Sequence, residues 1–439
     1  MKGVEVLGTP PPRQMHLGLF ILGTGSHIAG WRWPGAVTDF SDLGAIQQIA
    51  RTAERGRFDL IFMGDNLYAD PGSHPSYTLR LEPLTMMAAL ATTTKHVGLG
   101  ATASTTYGDP WSTARAFASL DHISGGRAAW NAVTSTNPAA GANFDKPLPE
   151  HAERYERAEE FLDVVIRLWD AWDDDALVAD RATGVYLDPK KLRAIDHVGR
   201  HFKVKGPVNI GRAPQGRPIV LQAGGSAPGQ ALAARTADVV FTVTQDIEES
   251  KAAYRAVKER MPAFGRTPDQ LAMLPGVMPV VGRTDKEARE KLAILQSFVD
   301  SRNGLQLLTD RLGFDMTGYD FDGPVPELPQ TEFSQTFARV LLDKARRDGL
   351  TLRDLYNLNA AARGHWVLCG SPETIADTLQ LWFEERAGDG FNVMPPWFHD
   401  GFDDFVDGVV PILQERGLFR REYEGTTLRE LLGLARPQP

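Results

Sequence analysis

Pro218-Ile219-Val220-Leu221-Gln222-Ala223-Gly224-Gly225-Ser226 runs from an apolar stretch into two glycines and a serine, and a helical pattern, Ala227–Asp238, leads on to a second apolar stretch, Val239–Val243. An apolar run without polar alternation suits a strand buried on both faces, and strand, helix, strand in this order is the βαβ unit of a parallel sheet. The unit recurs along the chain. Strands are expected at Met15–Phe20, Phe58–Met63, Val97–Thr102, Arg127–Val133, Pro218–Gln222, Val239–Val243, Ala272–Val281 and Gly390–Met394. Helices are expected between them, among others at Asp42–Gly56, Pro83–Thr94, Thr113–Ser124 and Glu150–Trp172. Eight units predict an α/β fold of (β/α)8 TIM-barrel type rather than an open sheet.

A minimal barrel needs about 250 residues, and this chain has 439. The reading is therefore a single domain, 1–439, with long insertions near 135–148, 173–217 and 300–365, where Pro, Gly, Asp and Asn cluster. Loops of that length serve as lids or binding elements, and 300–365 is the lid candidate; a separate second domain is the alternative there. With 42% hydrophobic and 23% charged residues the chain is globular. A net charge of −9 with no Lys/Arg-rich run argues against nucleic acid. No apolar run approaches a membrane span. One cysteine, Cys369, excludes an intrachain disulfide and cysteine-based metal clusters, and fits a cytoplasmic protein.

Barrel chemistry sits at the C-terminal ends of the strands, and these ends are polar. They read Gly64-Asp65-Asn66, Thr102-Ala103-Ser104-Thr105-Thr106-Tyr107, Trp130-Asn131 with Thr134-Ser135, and Ala223-Gly224-Gly225-Ser226. Four such ends on one rim make a site for a ligand with many hydrogen-bonding edges. Gly224-Gly225-Ser226 opens a helix, a geometry that turns backbone N–H groups toward an anion such as phosphate; an ordinary turn with Ser226 as N-cap is the alternative. His151 and Tyr155, four apart, share one helix face and could reach the same ligand, or be a pair satisfied in the core or solvent. Gly98-Leu99-Gly100-Ala101-Thr102-Ala103 nearly matches a dinucleotide fingerprint but lacks its context. No His-Glu-x-x-His or Gly-x-Ser-x-Gly motif occurs, and no metal site is expected.

Taken together, the segments resemble the bacterial-luciferase-like superfamily, in particular the group of nitrilotriacetate, EDTA and dibenzothiophene-sulfone monooxygenases. The resemblance is carried by Met15-His16-Leu17-Gly18, Phe58–Phe62, Phe117–Asn131, the helix from His151 to Tyr155, Gln222–Ser226, Asp389–Asn392 and Tyr423–Arg429. It implies a two-component flavin monooxygenase that takes reduced FMN from a separate NAD(P)H-dependent flavin reductase and uses O2 to oxygenate a small organic molecule. A homo-oligomer, dimer or tetramer, is implied as well. Carried over by position, Asp65, Thr102, Asn131, His151, Tyr155, Gly225 and Ser226 fall where the family binds FMN, with Gly225, Ser226 and Tyr155 at the phosphate. Thr102 and Asn131 fall at the reactive edge of the flavin, the catalytic position. A deazaflavin-dependent hydride-transfer enzyme on the same barrel and a non-catalytic flavin-binding protein are the alternatives. The insertions carry the aromatic residues Phe144, Tyr186, Phe202, Phe314, Tyr319 and Phe321, from which an apolar or aromatic substrate is expected.

Overall fold

The computed structural model describes residues 13–69, 78–299, 304–327 and 335–439. Each expected strand forms: β1 (His16–Ile21), β2 (Leu60–Met63), β3 (Gly98–Ser104), β4 (Ala128–Val133), β5 (Ile219–Gln222), β6 (Val239–Thr242), β7 (Ala272–Val281) and β8 (Gly390–Val393). They pair in parallel in that order, and β8 pairs with both β7 and β1, so the barrel closes. Closure follows from strands that carry apolar residues on both faces: β2 and all of β7 are buried end to end. Inside the barrel Phe20, Phe62 and Phe241 pack with centroids 5.0 to 5.9 Å apart. A larger apolar layer, including Trp130, Phe117 and Phe161, fills the space between strands and helices.

A ninth strand, Trp366–Gly370, was not expected; it pairs in parallel with Val277–Val281 of β7. β7 is ten residues long, so its first half serves the barrel while its second half stands above it and carries the extra strand. The insertions hold little sheet, a two-residue antiparallel pair at His197–Val198 and Lys203–Val204. The third carries the helices Gly304–Leu312, Gln335–Asp348 and Leu352–Ala362 around a small apolar cluster of its own, which also takes in Ile28. Residues 300–303 and 328–334 of that insertion lie outside the described residues. Among the described residues no helix is long and apolar enough to cross a membrane.

Candidate functional site

Three elements converge at the rim after β4, β5 and β6. Ser226 adopts an extended N-cap conformation, and its Oγ accepts the N–H of Gly229 at 3.3 Å, which starts the helix Ala227–Thr236. The same hydroxyl donates to Tyr155 Oη at 3.1 Å. The N-cap expected as the alternative is therefore present, and the same hydroxyl reaches Tyr155. Tyr155 comes from the helix His151–Trp169, whose first turn has no side-chain cap. His151, Arg154, Tyr155, Ala158 and Leu162 fall on one face at three and four spacing, and all five line the cavity.

That cavity has a volume of about 430 Å³, within the usual range for a small-molecule or cofactor site. Gly224, Gly225 and Ser226 form one wall and Phe241 to Thr244 another. Two glycines make room for the tyrosine: a Cβ on Gly229 would lie 2.9 Å from Tyr155 Oη, and one on Gly224 would lie 3.3 Å from it. Thr244 Oγ1 is buried in the wall, with 1% of the residue exposed, and has no hydrogen-bond partner among the described residues. A buried hydroxyl left in this way costs free energy unless a ligand satisfies it.

The structure thus brings His151, Tyr155, Gly225 and Ser226 to one cavity. Thr102 and Asn131 form a second group, opposite each other in the β3–β4 register. Asn131 Nδ2 donates to Thr102 Oγ1 at 2.9 Å, and Thr102 donates to the Met63 carbonyl at 2.7 Å. The threonine proton is committed, so Thr102 orients Asn131, whose Oδ1 is buried and lacks a partner among the described residues. Asp65 lies apart from the cavity wall; burial pushes its carboxyl up while the Arg80 guanidinium pulls it down.

Sequence reasoning missed Arg154, Thr244 and Glu249, which also line the cavity. Arg154 was within reach of the spacing argument that selected its neighbours, since it lies three residues after His151 on the same face. It is 4% exposed, and its guanidinium donates to the Ser135 carbonyl at 2.6 Å. Burial pushes the Glu249 carboxyl up.

The aromatic residues of the insertions do not line the cavity. Phe144 stacks on Tyr107 at 4.8 Å, Phe202 packs edge-on to Phe161, Phe314 lies near Tyr319, Phe321 near Tyr356, and Tyr186 is 68% exposed. They lend the expected apolar or aromatic substrate no support. The glycines of the rejected dinucleotide fingerprint belong to β3, and a Cβ on Gly98 would meet Leu428 at 2.6 Å. The helix after them does begin at Pro110, with proline in its first turn, where no intrahelical N–H bond is lost. Among the described residues no group of His, Cys, Asp and Glu could hold a metal ion.

A closed (β/α)8 barrel with a cavity and buried, unsatisfied hydrogen-bonding groups on its C-terminal rim has the architecture of a barrel enzyme. The chain belongs to the luciferase-like monooxygenase family, which matches residues 15–389. It is 46% identical to N-acetyl-S-(2-succino)cysteine monooxygenase of Bacillus subtilis (strain 168), over 98% of both chains. It is also 46% identical to nitrilotriacetate monooxygenase component A of Aminobacter aminovorans, over 97% of this chain and 98% of that one. Among solved structures it is similar to a riboflavin lyase with modified FMN and riboflavin, with TM-score 0.87 and 33% identity over 97% of both chains. The enzyme is a two-component, flavin-dependent monooxygenase acting on a small organic substrate, and the deazaflavin alternative is not favoured.

Proposed function

We propose that the chain, folded as one barrel domain in the cytoplasm, takes reduced FMN from a separate NAD(P)H-dependent flavin reductase and uses it with O2 to place one oxygen atom in its substrate. The observation that carries this reading is the convergence of Gly225, Ser226, Tyr155 and His151 on a cavity whose wall holds the unsatisfied Thr244 hydroxyl. These residues fit FMN. The Gly225 and Ser226 backbone, the Ser226 and Tyr155 hydroxyls and His151 would hold its phosphate, at the positive end of a helix dipole. Asn131, oriented by Thr102, would offer its free Oδ1 to an N–H on the ring, and Asp65 would serve the outer part of the same site. When bound, the flavin supplies the oxygen chemistry, while the protein orients the reactants and keeps water out.

The relatives at 46% identity, one named for a succinylated cysteine and the other for nitrilotriacetate, support a polar small molecule as readily as an apolar one. Because the sequence carries no credible nicotinamide-binding fingerprint, the protein alone should not oxidise NADH. Stopped-flow mixing of FMN-loaded protein with NADH in the absence of oxygen tests this. The flavin absorbance should persist until a generic flavin reductase is added, and rapid bleaching without reductase would refute the two-component reading.

A further inference from the structure

The described residues that line the cavity come from the barrel, its strand ends and the helices that follow them, apart from Thr136 of the first insertion and Arg339. Arg339 belongs to the helix Gln335–Asp348 of the third insertion and lines the same cavity as Gly225, Ser226 and Tyr155. The charged groups in that wall are therefore Arg154 and Arg339, with His151 as a further titratable group, against one carboxylate, Glu249. Glu249 accepts the backbone N–H of Gln245 at 2.8 Å, and both Arg339 and Arg347 act on its carboxylate electrostatically. Two turns after Arg339, Arg347 pairs with Asp246 at 2.8 Å, and Asp246 caps the helix Ile247–Lys258 that bears Glu249. The insertion helix thus meets the barrel at the helix that bears Glu249, and Arg339 stands exposed at the edge of the same cavity.

A phosphate in the cradle of Gly225 and Ser226 adds up to two negative charges to the cavity that Glu249 also lines, and a cation at its edge offsets them. Arg339 is placed to supply one, and guanidinium is the side chain whose donor geometry suits phosphate oxygens. We propose that Arg339 is a phosphate-binding residue contributed by the insertion, so that the cofactor's phosphate ties the helix Gln335–Asp348 to the barrel rim. The proposal rests on the reading of the cradle as the FMN phosphate site. It assigns the insertion a part in selecting the phosphorylated flavin over riboflavin.

The test compares FMN with riboflavin, which lacks the phosphate. Fluorescence titrations are run on the wild type, Arg339→Ala, Arg339→Lys and Ser226→Ala. Arg339→Ala should weaken FMN about ten- to hundredfold and leave riboflavin within about twofold, with Arg339→Lys between wild type and Ala. Hydrogen exchange across 335–348 should slow more with FMN than with riboflavin in the wild type, and equally with both in Arg339→Ala. If Arg339→Ala keeps the FMN preference while Ser226→Ala loses it, the arginine's role is overturned and the cradle stands. Equal weakening of both flavins by Arg339→Ala would also overturn it, by making the residue a general support of the insertion. If the wild type itself does not distinguish FMN from riboflavin, the phosphate reading of the cradle falls first and this inference with it.

Discussion

At the foot of the barrel Asp59, Asp121 and Arg127 are buried and bonded on several sides, whereas at the rim Thr244 Oγ1, Asn131 Oδ1 and Thr106 Oγ1 are buried without a partner among the described residues. Asp59 accepts from the Leu17 N–H at 2.7 Å and from Arg420 at 2.7 Å, and bonds His16 at 2.9 Å. Burial alone would push its carboxyl up, but Arg420 and His16 hold it below the usual range. Arg127 donates through Nε and both Nη atoms to Ser124, Thr94, Val97 and Ala91. The C-terminal stretch closes this end: Leu428 donates to the Gly126 carbonyl, Arg429 pairs with Asp238, and Tyr423 donates to the Phe58 carbonyl. The residues that carry much of the family resemblance, from Asp121 to Arg127 and from Tyr423 to Arg429, therefore hold the foot together. The proposed flavin site lies at the rim; the open atoms at the foot, Arg420 Nη1 and Arg429 Nε, belong to guanidinium groups already bonded through their other nitrogens.

The sharpest way to break this contrast is Asp59→Ala, which strands Arg420 in the interior. It should cost about 3 to 5 kcal/mol of unfolding free energy and leave the FMN affinity of the folded protein unchanged. Urea denaturation and FMN titration together check this, and lost affinity with intact stability would move function to the foot.

Asp121 sharpens the comparison through pH. Burial pushes its carboxyl up to about 6, despite N–H donors from Ala128 and Gln215. The folded chain therefore favours the protonated acid. Its contribution is fully present below about pH 4, the unfolded value, and is lost as the pH rises through about 6, at most about 3 kcal/mol. Asp65 and Glu249, also raised, add the same sign. Urea midpoints between pH 4 and 7 should fall more steeply for wild type than for Asp121→Asn, and parallel curves would exclude the aspartate as a source.

At the rim, under the proposed function, Ser226→Ala and Tyr155→Phe would each remove a hydrogen bond to an anionic phosphate, worth about 1.5 to 3 kcal/mol. FMN affinity should fall about ten- to hundredfold in each, with the denaturation midpoint nearly unmoved in Tyr155→Phe and lowered in Ser226→Ala by the lost helix cap, worth about 1 kcal/mol. Unchanged affinity in both variants would sink the phosphate assignment. The smallest binding effect is expected for Asn131→Ala, within a few-fold of wild type. Product formation with reductase supply should nevertheless drop, so that binding and turnover separate; a parallel loss of both would make Asn131 a support of the strand end.

The strands of the barrel were legible because parallel strands buried on both faces leave continuous apolar runs, and the observed strand ends differ from the expected ones by only one or two residues. Trp366–Gly370 was not, since its pairing depends on β7 rising above the barrel, a property of tertiary structure that no local pattern encodes. Ser226, Tyr155 and His151 were legible as candidates because a helix start and an i, i+4 spacing are local. Thr244 and Arg339 were not. A threonine after a strand is ordinary until its burial is known, and Arg339 reaches the cavity from an insertion more than a hundred residues beyond the cradle in sequence. The six insertion aromatics misled for the converse reason: composition cannot tell a residue that lines a pocket from one that packs beneath it or faces solvent.

A crystal structure of the protein soaked with FMN shows directly where the flavin phosphate sits. Phosphate density within hydrogen-bonding distance of the Gly225 and Ser226 backbone, Ser226 Oγ and Tyr155 Oη, with the ring edge against Asn131, is the predicted result. Flavin bound elsewhere, with these groups unengaged and Thr244 still without a partner, would contradict it.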